Sequence, residues 1–258
     1  MEAASMSLLS RKYPWSKWQK HLVLAREPVL REFLPDTAVL KEETLIDFLS
    51  RYPVVFAKPS CGGGGRGVVR ISVIEEGRVE IQTTETRVET EIPQAYAAVK
   101  SFLGPKQYIV QQGVSLIRID DRPIDFRTLL LRPGRTWRYM GVMGKLAVRD
   151  QIVTNHCRGG SSLTFAEALK ESRELQPEEI RELEKRIERL SRLIAAALNK
   201  RYPLVAELGL DIGIDEELKL WLIEANTRPQ YKLFRDHDDP TLYRRIGAII
   251  KTVRLPLA

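Results

Sequence analysis

The stretch SCGGGGRGVVRIS, residues 60–72, puts four glycines in a row from Gly62 to Gly65, then Arg66 and a fifth glycine, Gly67. Glycine lacks a Cβ and enters positive φ without steric cost, so a run of this kind serves equally as a simple turn between two strands or as a loop shaped around a ligand. The flanks narrow the choice. PVVFAKP at 53–59 is a short β-branched and aromatic run that reaches Lys58, and GVVRISV at 67–73 is a second strand-like run. The order is strand, glycine loop, strand. It is not a P-loop, because no Lys-Ser or Lys-Thr follows, and it is not a Rossmann fingerprint, because no helix follows. A loop of this order can lie over a polyphosphate as a lid and present backbone N–H groups to it. Lys58, just upstream, offers a point charge to the same phosphates.

Working outward, residues 1–40 read as an N-terminal arm, in which Trp15 and Trp18 are expected to dock on the body. An amphipathic helix is expected over 41–52, with Leu45, Phe48 and Leu49 on one side. Strands follow at 53–58, 67–73 and 77–83, then a helix ending at Gly104 and a strand at 107–114. PIDFRTLLLRP and TWRYMGVMGKLAVR read as two strands around the Pro133-Gly134 turn, and IVTNHCRGGSSLT as a loop. The clearest helix is QPEEIRELEKRIERLSRLIAAALNKRY. Pro177 suits its first turn, Glu178 and Glu179 complement the dipole there, and Ile180, Leu183, Ile187, Leu190, Ile194 and Ala197 recur in steps of three and four. Two strands and a helix over about 240–252 complete the chain. Clustered strands with helices between them point to an α+β fold.

A second region bears on the glycine loop. In ELGLDIGIDEELKLWLIEAN, Asp211 sits in an otherwise apolar strand, and Glu224 and Asn226 alternate on one face of the next. Each carboxylate alone reads best as the partner of an arginine at a sheet edge. Asp, Glu and Asn together form an all-oxygen set suited to Mg²⁺.

Composition bounds the rest. The 258 residues carry 41 basic and 34 acidic side chains, a net charge of +7, which suits anionic ligands. The basic residues are spread along the chain without a nucleic-acid-binding signature, so nucleic acid is not an expected partner. No apolar run is long enough to span a bilayer and no signal peptide is evident, so no membrane partner is expected. Cys61 and Cys157 make no disulfide framework and are expected to be reduced, in the cytoplasm.

In order along the chain, FAKPSCGGGGRG, YIVQQGV, DFR, GKLAVRDQIVTNHCRGG, GLDIGID and LIEAN resemble the ATP-grasp superfamily, over about residues 12–236. The Asp125-x-Arg127 pair and the spacing from Asn155 to Gly159-Gly160 resemble its ligases that add amino acids to peptide or protein carboxylates. YIVQQGV, IVTN and LWLIEANTRPQY are most similar to the YheC/YheD group, described as endospore-coat associated. The resemblance implies an N-terminal subdomain over 41–114 with the glycine lid and a C-terminal one over 115–258 with the metal site. ATP would lie between them. The α/β domain that usually precedes this core is expected to be missing or vestigial, which leaves acceptor recognition to a partner, a dimer mate or a larger substrate.

The resemblance also implies roles. Lys58 would contact the α- and β-phosphates, and Gly63, Gly64, Gly65, Arg66 and Gly67 would close over them. Gln111 and Gln112 would edge the adenine pocket, with the backbone of Gly113 and Val114 at the base. Ser115 and Leu116 stand where an acidic residue often holds the ribose. Lys145 and Arg127 would act on the transferring phosphoryl group, with Asn155 beside them and Asp125 orienting a neighbour. Asp211, Glu224 and Asn226 would bind Mg²⁺. The implied activity is an ATP- and Mg²⁺-dependent ligase that joins a carboxylate (of an amino acid, peptide or protein) to an amine through an acyl-phosphate, forming a C–N bond. The alternatives are a phosphotransferase acting on a hydroxyl and a non-enzymatic spore-coat-associated protein that retains nucleotide binding. The implied location is the cytoplasm, with spore-coat association in a spore-forming cell. His156, His21, His237 and Cys61 carry no assigned role, and Arg228, Lys232 and Arg235 read either as a carboxylate clamp or as a solvated basic edge.

Overall fold

A computed structural model describes residues 14, 16–75, 77–148 and 161–254. Trp15, one of the two expected docking tryptophans, lies outside them. The segment read as an arm forms regular elements: helix α1 (Lys17–Leu24), a short α2 (Pro28–Arg31) and strand β1 (Thr37–Val39). Lys and Gln interrupt the apolar positions of α1, which hides its helical period in the sequence. Its N-cap is nonetheless regular, with Ser16 accepting from the Gln19 N–H at 3.2 Å.

Helix α3 (Glu42–Arg51) leads into β2 (Val54–Pro59), β3 (Val69–Glu75), β4 (Arg78–Gln82) and β5 (Arg87–Glu91), then helix α4 (Ile92–Ser101) and β6 (Tyr108–Gln112). The six strands form one antiparallel sheet in the order β1-β6-β2-β3-β4-β5. Strand period sorts its faces. Val55, Ala57, Val69, Ile71, Val79 and Ile81 are buried under Leu45, Phe48 and Leu49 of α3 and Ala95 and Val99 of α4. The other face carries Val54, Phe56 and Lys58, and a row in register runs Phe56–Arg70–Gln82–Arg87. Among the described residues, helix α1 lies against the β1–β6 end of that face, beside Thr37 and Ile109, and the row from Phe56 to Arg87 lines a cavity.

The second sheet holds β8 (Arg122–Leu131), β9 (Arg138–Leu146), β10 (Ser161–Thr164), β11 (Glu207–Ile214) and β12 (Leu220–Asn226) in the order β10-β9-β8-β11-β12, with β7 (Arg118–Ile119) paired to β8. The end of the segment read as a loop, residues 161–164, is therefore a strand. It runs straight into helix α5 (Phe165–Arg173), which buries Phe165, Ala168 and Leu169 and which Thr164 and Glu167 open with a reciprocal capping box. Helix α6 (Pro177–Arg201) matches its periodicity. Its Ile180, Leu183, Ile187, Leu190, Ile194 and Leu198 are buried against Phe126, Leu130, Leu208, Leu210 and Ile212. Each such side chain contributes about 1.5–3 kcal/mol of apolar burial. The opposite face divides in two. Leu129, Leu131 and Met143 lie under helix α7 (Leu242–Val253) and the 3₁₀ turn Lys232–Asp236. Asp125, Arg127, Lys145 and Asp211, further along the same face, are charged.

Candidate functional site

The parts of these two sheet faces that the helices leave open bound a cavity of about 630 Å³, in the range of small-molecule sites. From the first sheet it is lined by Phe56, Lys58 and the glycine loop, and from the second by Asp125, Lys145 and Asp211. Gln111, Gln112, Gly113 and Val114 lie where the chain passes from one sheet to the other.

The loop needs its glycines. Gly64, Gly65 and Gly67 have φ of 71°, 66° and 71°, in the left-handed region. At Gly67 a Cβ would also stand 3.0 Å from the Tyr108 hydroxyl and 3.2 Å from the Pro59 ring. Gly113 is required for a different reason: a Cβ there would meet the Val54 carbonyl oxygen at 2.7 Å. The Gly113 N–H donates to that same carbonyl at 2.8 Å, so Val114 is the next backbone position exposed to the cavity. A loop of this composition is expected to exchange its amide hydrogens rapidly in the free chain. Nucleotide should protect residues 61–67 specifically, as read by hydrogen-exchange mass spectrometry with and without a non-hydrolysable ATP analogue. Identical exchange in the two states would remove the lid role.

On β2, Lys58 donates to the Gln111 side-chain oxygen at 2.5 Å, and Gln111 donates in turn to the Thr37 hydroxyl at 3.1 Å. Burial pushes the Lys58 ammonium down to about 8 against the pull of Glu224. Gln112 accepts from the Asp36 N–H at 3.1 Å.

Across the cavity is a buried charge cluster. Arg127 holds Asp211 through both carboxylate oxygens, Nε to Oδ1 at 2.7 Å and Nη2 to Oδ2 at 3.0 Å. Lys145 lies 2.8 Å from Asp211 Oδ1 and 3.1 Å from Asp125 Oδ1. Burial alone would raise the Asp211 pKa, but Arg127 and Lys145 outweigh it and hold the carboxyl well below the usual range. Burial would likewise lower Lys145, and Asp125 and Asp211 outweigh it. Asn226 donates its amide to Asp211 Oδ2 at 3.3 Å, which leaves the amide oxygen as its acceptor. Glu224, the register partner of Asp211, reaches the cavity wall and pairs at 3.3 Å with the Lys17 ammonium.

Lys17 was not singled out in the sequence. Its backbone N–H donates to Ser60 O at 2.7 Å and its ammonium to Gly62 O at 2.8 Å. It therefore joins the root of the glycine loop to Glu224. A lysine between a serine and a tryptophan carries no local signature; only the fold brings it to a loop 45 residues further along the chain.

Of the sequence-derived set, Lys58, Gly63, Gly65, Arg66, Gln111, Gln112, Gly113, Val114, Lys145, Asp211 and Glu224 line the cavity. Arg127 and Asn226 stand behind Asp211. Asn155, with His156 and the 159–160 glycines, lies outside the described residues. The expectation that Asp211 pairs with an arginine and the expectation that it belongs to a metal set meet at one residue, since Arg127 and Lys145 already engage it. Among the described residues no three His, Cys, Asp or Glu side chains converge into a self-sufficient metal site. Two carboxylates and an amide oxygen fit Mg²⁺ that arrives with phosphate oxygens and water, and Glu224 is the carboxylate least committed to protein cations.

Comparison with known proteins agrees with this architecture. Endospore coat-associated protein YheD of Bacillus subtilis (strain 168) is 31% identical over 244 residues, covering 86% of this chain and 51% of that protein. Endospore coat-associated protein YheC of the same organism is 23% identical over 224 residues, covering 84% of this chain and 60% of that protein. The chain thus spans roughly half the length of the curated relatives it matches. Among solved structures, D-cycloserine synthetase DcsG superposes with a TM-score of 0.57 at 12% identity, covering 96% of this chain and 72% of that one. D-alanyl-alanine synthetase A from Vibrio cholerae superposes with 0.55 at 12%, covering 93% and 65%. At such identities the likeness shows the fold. No described helix is long and apolar enough to cross a membrane. A family model for YheC/D-like ATP-grasp proteins matches residues 7–251, and the chain belongs to that family.

Proposed function

We propose that this chain is an ATP-dependent ligase that activates a carboxylate by phosphorylation and joins it to an amine. The observation that carries the reading is the pairing of walls across one cavity. A glycine loop with Lys58 and Lys17 faces a carboxylate, Glu224, backed by the buried Arg127–Asp211–Lys145 cluster. Cations and backbone N–H groups on one wall suit a polyphosphate. The oxygen donors on the other suit the Mg²⁺ that accompanies it, which would supply charge neutralisation at the phosphate oxygens.

The chain's own residues divide the work. Lys58 and the loop hold the polyphosphate, and the phosphoryl group passes to a carboxylate oxygen of the acceptor, releasing ADP. Lys145, held by Asp125 and Asp211, keeps a fixed positive charge in a water-poor site, where a cation counts for more than at an exposed surface. An amine then displaces phosphate from the acyl-phosphate. Trapping with hydroxylamine tests the class: the wild type with ATP, Mg²⁺ and candidate amino acids or peptides should yield a hydroxamate. A stable phosphoester instead would assign a kinase, nucleotide binding with neither product would favour a non-enzymatic coat-associated protein, and no nucleotide binding at all would remove the ligase reading.

Lys58→Ala should weaken nucleotide binding by about 10- to 100-fold, because a charge-assisted contact contributes about 1.5–3 kcal/mol. Wild-type affinity should also depend on pH. The polyphosphate favours the Lys58 ammonium, whose pKa in the free chain is about 8. Affinity is therefore expected to be level below that pH and to weaken above it, by at most about tenfold per pH unit. Calorimetry across the range checks both, since Lys58→Ala should lose the dependence along with the affinity.

A further inference from the structure

Lys20 is buried, 5% exposed, yet nothing in the proposed chemistry calls on it. A lysine is costly to bury, and the small space of about 40 Å³ that it adjoins has apolar walls at Leu24, Ile109 and Leu222 and polar ones at Lys58, Gln111 and Glu224. A methionine would fill that place with no charge to desolvate. The difference between the two is a donor, and Lys20 directs it at one group, the Ala225 carbonyl oxygen.

That carbonyl belongs to a strand with two weaknesses. Among the described residues β12 is the last strand of its sheet, and no further described strand pairs with its outward backbone groups. It is also irregular: pairing steps from Asp211–Glu224 to Ile212–Leu222, which leaves Ile223 as an extra residue just before Glu224. The N-terminal segment supplies what a further strand would. Phe33 O accepts from the Leu222 N–H at 2.7 Å on one side of the irregularity, and Lys20 holds the Ala225 carbonyl on the other. Glu224 and Asn226 flank that carbonyl and both face the cluster.

We infer that Lys20 is a positioning residue: by anchoring the Ala225 peptide it fixes Glu224 and Asn226 in the arrangement that receives a divalent cation. The anchor comes from α1, whose first residues also bind the root of the glycine loop through Ser16 Oγ to Ser60 Oγ at 2.8 Å and Lys17 N to Ser60 O. One helix thereby sets the loop and the acidic strand relative to each other. Burial pushes the Lys20 ammonium down to about 8 against the pull of Glu224, consistent with a group kept there for its donor at an electrostatic cost.

The inference rests on Glu224 being the metal carboxylate, and the test separates the two. ADP affinity is measured by calorimetry with and without Mg²⁺ for wild type, Lys20→Met and Lys20→Arg, with Tm alongside. A wild type that binds no ADP removes the nucleotide reading itself. Given binding, Lys20→Met should keep metal-free ADP affinity within about twofold and Tm at or above wild type, while the gain in affinity from Mg²⁺ falls at least tenfold. Lys20→Arg should restore most of that gain. The sign is informative, because simple removal of a positive charge near Glu224 would strengthen Mg²⁺ binding. An unchanged or larger Mg²⁺ gain in Lys20→Met overturns the inference. So does a parallel fall of Tm and metal-free affinity, which marks a purely structural residue. If Lys20→Met does not fold, Lys20→Leu is read in the same way, and failure of both to fold also overturns it.

Discussion

Glu224→Gln is expected to reduce turnover by at least about two orders of magnitude while leaving the fold intact. The substitution keeps the shape and the hydrogen-bonding capacity and removes one negative charge, so it tests charge rather than packing. Its effect on stability should be small. Among the described residues Glu224 forms an ion pair with Lys17, at 3.3 Å, and it is a quarter exposed, so the loss is expected at no more than about 1 kcal/mol. Nucleotide binding should survive in weaker form through Lys58 and the loop backbone. Hydroxylamine should trap a hydroxamate with the wild type and not with the variant. Normal magnesium-dependent turnover in Glu224→Gln would remove the metal assignment, and circular dichroism with a thermal melt would separate lost chemistry from lost structure.

Asp211→Leu should instead act on the fold. Lys145 is buried, Arg127 is half-buried, and both lean on this carboxylate. Removing it leaves two cations in a low-dielectric place without their shared carboxylate, a change of about 3–5 kcal/mol. A denaturant titration should show the midpoint shift. The pH dependence follows from the same contacts. The carboxyl is held below its unfolded pKa, so its contribution is fully present above about pH 4, where the unfolded carboxyl is ionised. That contribution is lost as pH falls through the depressed folded value. Wild type should therefore lose stability on acidification below about pH 4, and Asp211→Asn, already weaker at neutral pH, should lose less of it over the same span. Equal acid slopes in the two proteins would mean that Asp211 is not the carboxylate that links protonation to unfolding.

Much of this molecule could be read along the chain because the relevant physics is local. Strand alternation in PVVFAKP places Lys58 opposite the buried Val55 and Ala57 without reference to any other element. The three- and four-residue recurrence from Ile180 to Ala197 predicts α6 almost to its ends. Alternation likewise puts Glu224 and Asn226 on one face. What the chain does not carry locally is the choice of partner. Whether Asp211 meets Arg127, Lys145 or a metal depends on the pairing of β8, β9 and β11, and Arg127 itself is 84 residues from Asp211 in sequence. Lys17 and Lys20 belong to a helix whose polar residues obscure its period, and their acceptors, Gly62 O and Ala225 O, are 45 and 205 residues away. The sequence by itself determined the strands, the glycine loop, the long helix and the residue types that suit a nucleotide. Only the tertiary structure decided which cations each cavity carboxylate meets and which helix ties the loop to the acidic strand. Those outcomes are set by burial and by satisfying the backbone of an edge strand, and both exist only once distant segments have packed together.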